Sequence, residues 1–269
     1  MPELPEVETT LRAIKKFKGQ LLEEVKIHNR NLRWKIDHNL EKDSKNKKII
    51  SISRRAKYII FDLEHMHLFL HLGMSGSLRI QKKDDNFFMK HDHVEFIFQN
   101  EKIIFNDPRR FGSLHITKNV GNHKLISQLG PEPLSNDFNG EYLLALSKKS
   151  KTNIKTLIMN QKNVVGIGNI YASEALFLSK INPLKTANRL NLKECKKIVS
   201  SSKEVLNQAI KVGGTTIKDF YSADGNRGYF SIQLNVYGRD GKKCKKCKGK
   251  IKKTIINQRA TFYCLNCQS

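Results

Sequence analysis

Val7, Leu11, Ile14 and Phe17 recur at helical spacing behind Pro5, whose missing N–H costs nothing in a first helical turn. From Ile49 to Ile116 the pattern changes. IISISRRAKYIIFDLEHMHLFLHLGMSGSLRI and HVEFIFQNEKIIFNDPRRFGSLHI are rich in β-branched and aromatic residues, alternate in part, and are broken by Gly-containing turns. This predicts several antiparallel strands, hence a β-sandwich or barrel. LGPEPLSND, from Leu129 to Asp137, punctuates the chain and marks a first domain boundary. Beyond it the period becomes helical. IKTLIMNQ and NIYASEALFLS read as two helices joined by KNVVGIG. Cys195, Ile198, Val199, Ser202, Val205, Leu206, Ala209 and Ile210 then line one face of a longer helix. Asn191 with Glu194 forms its capping box, and Gly213-Gly214 stops it. Cys195 on that apolar stripe is a core thiol. No internal repeat is present.

A length of 269 residues suits about two domains with a small appendage. Charge sharpens the picture. The chain holds 49 Lys and Arg against 25 Asp and Glu, a formal net charge of +24, which calls for a polyanionic partner: nucleic acid first, an anionic membrane surface second. No apolar run is long enough to span a bilayer, and no signal peptide is visible, so an intracellular, cytoplasmic chain is expected. Five cysteines in such a chain favour metal over disulfides. Cys244-x2-Cys247 and Cys264-x2-Cys267 are separated by sixteen residues, and KIKKTIINQRATFYC between them reads as a β-hairpin. This is a zinc ribbon with one structural Zn2+; four thiolates leave no open coordination position for catalysis. From Gly238 to Ser269 the ribbon carries ten Lys and Arg and a single acid, Asp240, a ratio that suits phosphate binding. Arg259 lies in the hairpin, apart from the lysine runs.

The remaining chemistry is concentrated in short stretches. NDPRRFG puts Arg109 and Phe111 in a turn, and HLGMSGSL puts Met74 in another; arginine contacts phosphates or base edges, while Phe and Met wedge into base steps. Packing alone also explains Met74 or Phe111 taken singly. His91 and His93 flank Asp92 on one strand face, where a metal pair, a phosphate contact and a structural contact all stay open. Lys57 sits in the apolar-flanked strand SRRAKYIIF, where a place at the strand edge also explains a lysine. Gly166, Gly168 and Asn169 sit at a helix start, where exposed amides bind phosphate and an ordinary helix–helix turn is an equal reading. SADGNRGYF is a Gly-rich loop of the kind that often stays mobile until something binds. The opening MPELPEVE concentrates acid in a basic chain. Glu6 and Glu8 complement the dipole of the first helix; Glu3, ahead of it, is not covered by that reason. Removal of Met1 would leave Pro2 as a secondary amine. An α-amino group has a pKa of roughly 7.7–8.0, so part of it is neutral and able to attack an electrophilic carbon such as a sugar C1′. Glu3 beside it could move protons.

PELPEVE, RRAKY, HLGMSGSL, KHDHVE, DPRRFG, LGPEPL, VVGIGNIYASEALF, GGTTIKDF, GYF, VYGR and QRATFYC, in this order, resemble the bacterial formamidopyrimidine-DNA glycosylases from Pro2 to the last cysteine. The resemblance implies an α+β fold: an N-terminal β-sandwich (1–130), a helix–two-turn–helix domain (131–235) and a zinc ribbon (236–269). It implies a monomeric base-excision repair enzyme acting on double-stranded DNA. Such an enzyme removes oxidised purines and cuts the abasic strand, with no small-molecule cofactor and no membrane. By matching position, Pro2 is the nucleophile and Glu3 the catalytic acid, Lys57 serves β-elimination and Arg259 serves δ-elimination. Met74, Arg109 and Phe111 fill the gap of a flipped nucleotide, Arg109 also reading the opposite cytosine. His91, Lys155 and Asn169 contact the DNA backbone, and 216–237 close over the flipped base. Ser150 stands where the family often has a basic residue, with Lys149 and Lys151 beside it, and DGNRGYF lacks a proline common before GYF. A sister enzyme preferring oxidised pyrimidines, a non-catalytic lesion-binding protein and a basic membrane-surface protein are the competing readings.

Overall fold

The computed structural model describes residues 2–213 and 234–269, and these divide into two compact units, one up to Ser127 together with Gly213, the other Gln128–Val212 together with 234–269. In the first, helix α1 (Leu4–Ile14) precedes two antiparallel sheets. One has the order β1-β3-β4-β5-β9, from Leu21–Leu22, Lys47–Arg55, Tyr58–Leu63, Met66–His71 and Ser113–Thr117. The other has the order β2-β7-β8-β6, from Glu24–Ile27, Asp92–Ile97, Glu101–Asn106 and Ser77–Lys82. Alternate residues of both sheets and the buried side of α1 form one core, with Phe61 and Phe96 stacked across it at 5.6 Å. The expected sandwich is therefore present. β1 and β2, two and four residues long, and helix α2 (Leu40–Ser44) were not legible in the pattern.

Strand register decides what comes together. Arg55 pairs with Tyr58 across a two-residue turn, Tyr58 with His71, and His71 with Ser113. The turn at 56–57, the connection from β5 to β6 and the connection from β8 to β9 therefore share one end of the sandwich. In the second sheet Asn106 pairs with Ser77 and with Asp92, so the segment before β7 joins that end too.

The second unit packs α3 (Gly140–Lys148), α4 (Ile154–Met159), α5 (Asn169–Leu178) and α6 (Leu192–Lys211) around its own apolar cluster. The capping box of α6 forms as expected. Glu194 N donates to Asn191 Oδ1 at 2.9 Å, and Asn191 N donates to Glu194 Oε2 at 3.1 Å. Gly213 follows the helix with φ +82°. Cys195 is fully buried on the apolar face, and burial pushes its thiol up. Hairpin β10 (Ile251–Ile256) and β11 (Arg259–Cys264) turns through Asn257 and Gln258, both with positive φ, as a tight two-residue loop requires. Its apolar side packs on Phe177 and Val236.

Candidate active site and nucleic-acid interface

Pro2 is buried and directly precedes α1, whose N-cap is Glu3. The Glu3 N–H donates to Glu6 Oε2 at 2.8 Å, and the Glu3 carboxylate closes the reciprocal capping box on the Glu6 N–H. Glu3 thus has the helix-end role that its place ahead of the apolar run had hidden. Both acids are buried, 2% and 0% exposed, as is Pro2 beside them. Farther along α1, Glu8 Oε2 accepts from Arg54 Nε at 3.1 Å, and Arg54 Nη1 donates to the Ala56 carbonyl at 2.8 Å. This bridge fixes the β3–β4 turn relative to α1. Ala56 adopts φ +55°, a conformation costly for a residue with a Cβ, and it delivers Lys57 into a buried position. Sequence reading noted Arg54 only as a neighbour of Lys57; its role depends on a contact between residues far apart in the chain.

Met74 and Phe111 stand at the same end of the sandwich, 39% and 42% exposed, and the Arg109 guanidinium lies 4.9 Å over the Phe111 ring. Large apolar side chains exposed among arginines suit insertion into stacked bases. His91, in the segment before β7, has φ +76° and is half-buried. His93 is buried instead, and its Nε2 donates to the Asp107 carbonyl at 2.8 Å, so it is a structural contact. Among the described residues the pair belongs to no metal-binding cluster.

Two further histidines lie beside this end. Burial above all, and then the Lys57 ammonium, hold His71 down to about 3. Burial and then His123 and Lys124 hold His115 down to about 4. His115 stacks on Phe69 at 4.9 Å, and its Nε2 has no hydrogen-bond partner among the described residues. Below the ordinary 6.5 the unfolded chain binds protons that the native state refuses, so stability falls as pH drops from 6.5 toward 4. His115→Phe keeps the stack and removes one such group. Its melting temperature relative to the parent should therefore rise as pH falls from neutral to about 5. An unchanged difference across that range would show that His115 is not held neutral.

In the second unit, Gly166 with φ +79° and Gly168 as N-cap lead into Asn169 at the start of α5. Lys155 is 1% exposed. Its ammonium donates to Asn169 Oδ1 at 2.6 Å and Thr261 Oγ1 at 2.7 Å, while Asn169 Nδ2 donates to the Ala260 carbonyl at 2.9 Å. Lys155 and Asn169, two of the residues expected at the DNA backbone, thus clamp the ribbon hairpin onto α4 and α5. Asn169 remains half-exposed; a phosphate on Lys155 would compete with these partners. Arg259 is exposed beside the hairpin turn and lines a cleft of about 270 Å³ with Lys155, Thr156, Met159 and Asn160. Ser150 is half-buried, and Lys149 and Lys151 are exposed on either side of it. Sequence reading missed Glu174. Its buried carboxylate accepts from the backbone N–H groups of Asn235, Val236 and Tyr237, each at 2.9 Å. An acid inside the apolar stretch NIYASEALF was the available signal.

The four ribbon sulfurs lie within 4.8 Å of one another, with Cys244 and Cys267 3.9 Å apart and Cys247 and Cys264 3.4 Å apart. A tetrahedron with Zn–S near 2.3 Å needs about 3.8 Å between sulfurs. Burial raises the Cys244 thiol, but the N–H groups of Cys247 and Lys246 together with the Cys264 and Cys247 side chains bring it down to about 7. Burial and the neighbouring sulfurs drive Cys267 up to about 12. Crowded sulfurs of this kind fit a divalent cation that draws off their protons. The donor set and spacing fit one structural zinc.

The family model described as the formamidopyrimidine-DNA glycosylase N-terminal domain matches residues 1–114. That of the H2TH domain of the same glycosylase matches 129–221, and a zinc finger found in FPG and IleRS matches 241–269. The chain belongs to the formamidopyrimidine-DNA glycosylase family. The formamidopyrimidine-DNA glycosylase of Saccharophagus degradans is 49% identical over the whole of both chains. That of Hydrogenovibrio crunogenus is 47% identical over all of this chain and 96% of its own. Among solved structures, the Lactococcus lactis Fpg in complex with DNA containing an abasic site superposes with a TM-score of 0.91, at 36% identity over 99% of each chain. The MutM (Fpg) protein of Thermus thermophilus does so with 0.89, at 32% identity over 99% of this chain and 98% of that one. The loop expected over a flipped base lies outside the described residues up to 233; Leu234 to Tyr237 are described. No described helix of this family member is long and apolar enough to cross a membrane.

Proposed function

We propose that the chain is a base-excision repair DNA glycosylase that removes oxidised purines from double-stranded DNA and cleaves the abasic strand. The strongest support is the convergence, at one end of the sandwich, of buried Lys57 with the exposed set Met74, Arg109 and Phe111. Chemistry on a deoxyribose needs its base out of the stack, and unstacking costs a few kcal/mol that inserted side chains offset. The Pro2 amine attacks C1′, and the base leaves with the glycosidic electron pair and a proton that Glu3 supplies. The amine then gives up its proton, the C1′–O4′ bond breaks as O4′ takes a proton, and the opened sugar is held as an iminium that acidifies the C2′ proton. Lys57 assists its loss and the departure of the 3′ phosphate; Arg259 assists the second elimination, which frees the 5′ phosphate. His91, Lys151 and Asn169 bind phosphates, as does Lys155 if it exchanges its present partners. The zinc holds the ribbon and takes no part in bond breaking. The division into 1–130, 131–235 and 236–269 then separates chemistry, backbone grip and strand clamp. The enzyme acts as a monomer in the cytoplasm.

Borohydride reduction during reaction with a duplex carrying 8-oxoguanine opposite cytosine should leave DNA covalently attached to the chain, and peptide mapping should place it on Pro2. Lesion binding with no adduct would make the chain a binding protein; faster excision of thymine glycol would make it the pyrimidine enzyme.

A further inference from the structure

Met74 lies in the connection between β5 and β6, and Arg109 and Phe111 lie in that between β8 and β9. These turns are bonded to each other. Ser75 Oγ donates to Asp107 Oδ1 at 2.6 Å and accepts from the Arg109 N–H at 3.1 Å. Asp107 Oδ2 accepts from the Gly112 N–H at 2.7 Å, and the whole side chain is buried. A buried carboxylate is tolerable only when its oxygens are filled in this way, so the bonds hold both turns firmly. The backbones also touch. A Cβ on Gly73, whose φ is +67°, would come within 2.4 Å of Gly112 N and of the Phe111 carbonyl carbon. The Gly73 N–H donates to His71 Nδ1 at 2.9 Å, which anchors the first turn to β5. The His93 bond to the Asp107 carbonyl anchors the second turn to β7.

We propose that Ser75 and Asp107 are positioning residues that join the two turns into one wedge, so that Met74 and Arg109–Phe111 enter a vacated base position together. This rests on the glycosylase reading above. Neither residue touches DNA in this account. Ser75 is the link that can be cut with least damage, because Asp107 keeps its bonds to Arg109 and Gly112 without it.

The test compares Ser75→Ala, Ser75→Thr, Met74→Ala and the Met74→Ala/Ser75→Ala double variant. Single-turnover excision is measured on an 8-oxoguanine:cytosine duplex, with 2-aminopurine beside the lesion to report unstacking. Borohydride trapping is measured on single-stranded DNA with a preformed abasic site, which needs no wedge. Ser75→Ala should slow duplex excision about tenfold and lower the 2-aminopurine signal. Ser75→Thr, which keeps the hydroxyl, should restore both. Single-strand trapping should stay within about twofold, and in the Met74→Ala background the same change should cost less than about twofold, because the two act as one unit. Effects that multiply in the double variant, or a loss of single-strand trapping equal to the loss of excision, would overturn the coupling. A parent chain that traps no abasic DNA would sink the glycosylase reading itself, and this inference with it.

Discussion

A chain that retains any residue in front of Pro2 should bind a lesion duplex undiminished yet lose Schiff-base trapping and strand cleavage by on the order of 10⁴-fold or more. An acylated proline nitrogen is an amide; its lone pair is delocalised into the carbonyl and cannot attack carbon. The surroundings of Pro2 fit such a nucleophile. It is buried against a helix start whose capping box, Glu3 with Glu6, fixes the backbone that carries it. The Glu8–Arg54–Ala56 bridge then ties the Lys57 turn to that helix. A blocked chain therefore keeps its fold, its wedges and its basic surface, and loses only the bond-forming atom. Pro2→Gly is the finer probe. It restores a free amine, but a primary and more mobile one, so trapping should weaken without vanishing. A verified, uncleaved N-terminal fusion with full lyase activity would remove the amine from the mechanism. An adduct that moves to Lys57 would keep the Schiff base and reassign its origin.

The sequence carried those features that depend on local pattern. The α6 stripe with its capping box, the Asn257–Gln258 hairpin and the four-cysteine spacing are each fixed within about twenty residues, where periodicity and turn chemistry act. The edge strands β1 and β2 did not show, because they are too short to display a period. The candidate site divides the same way. Residues such as Met74, Arg109 and Phe111 are conspicuous in their own turns. What holds them is not: Ser75 with Asp107, Arg54 with Glu8, and Lys155 with Thr261 are partners 32, 46 and 106 positions apart. Such pairs follow from sheet register and helix packing, which no single window contains. Lys155 illustrates the cost. In sequence it is one more cation in a basic chain, whereas in the fold its ammonium is buried at the joint between helices and ribbon.

That joint sets the second large effect. Chelation of the ribbon zinc should reduce affinity for lesion duplex by about a hundredfold at physiological salt and make the remaining binding less salt-dependent. Four thiolates are the main fastening of this small module, whose apolar cluster comprises little more than Phe177, Val236, Ile251 and Phe262 around the sulfurs. Structural zinc contributes on the order of 10 kcal/mol to folding such units, more than so small a core supplies. With the hairpin unfolded, the partners of Lys155 and Asn169 on Ala260 and Thr261 go as well, so two candidate backbone contacts loosen along with the ribbon lysines. Every phosphate that is no longer neutralised should flatten the log–log salt slope by about one unit. The helices should survive, because the cluster around Tyr171, Leu176 and Ile198 is distinct from the ribbon cluster, and the far-ultraviolet helical signal should persist. Product analysis adds a second readout. Without a placed Arg259, residual cleavage should stop after β-elimination, while trapping on single-stranded abasic DNA continues through Pro2. Unaltered affinity and complete δ-elimination after confirmed zinc loss would contradict both the clamp and the role of Arg259. Weakened affinity with δ-elimination intact would keep the clamp and return Arg259 to a phosphate contact.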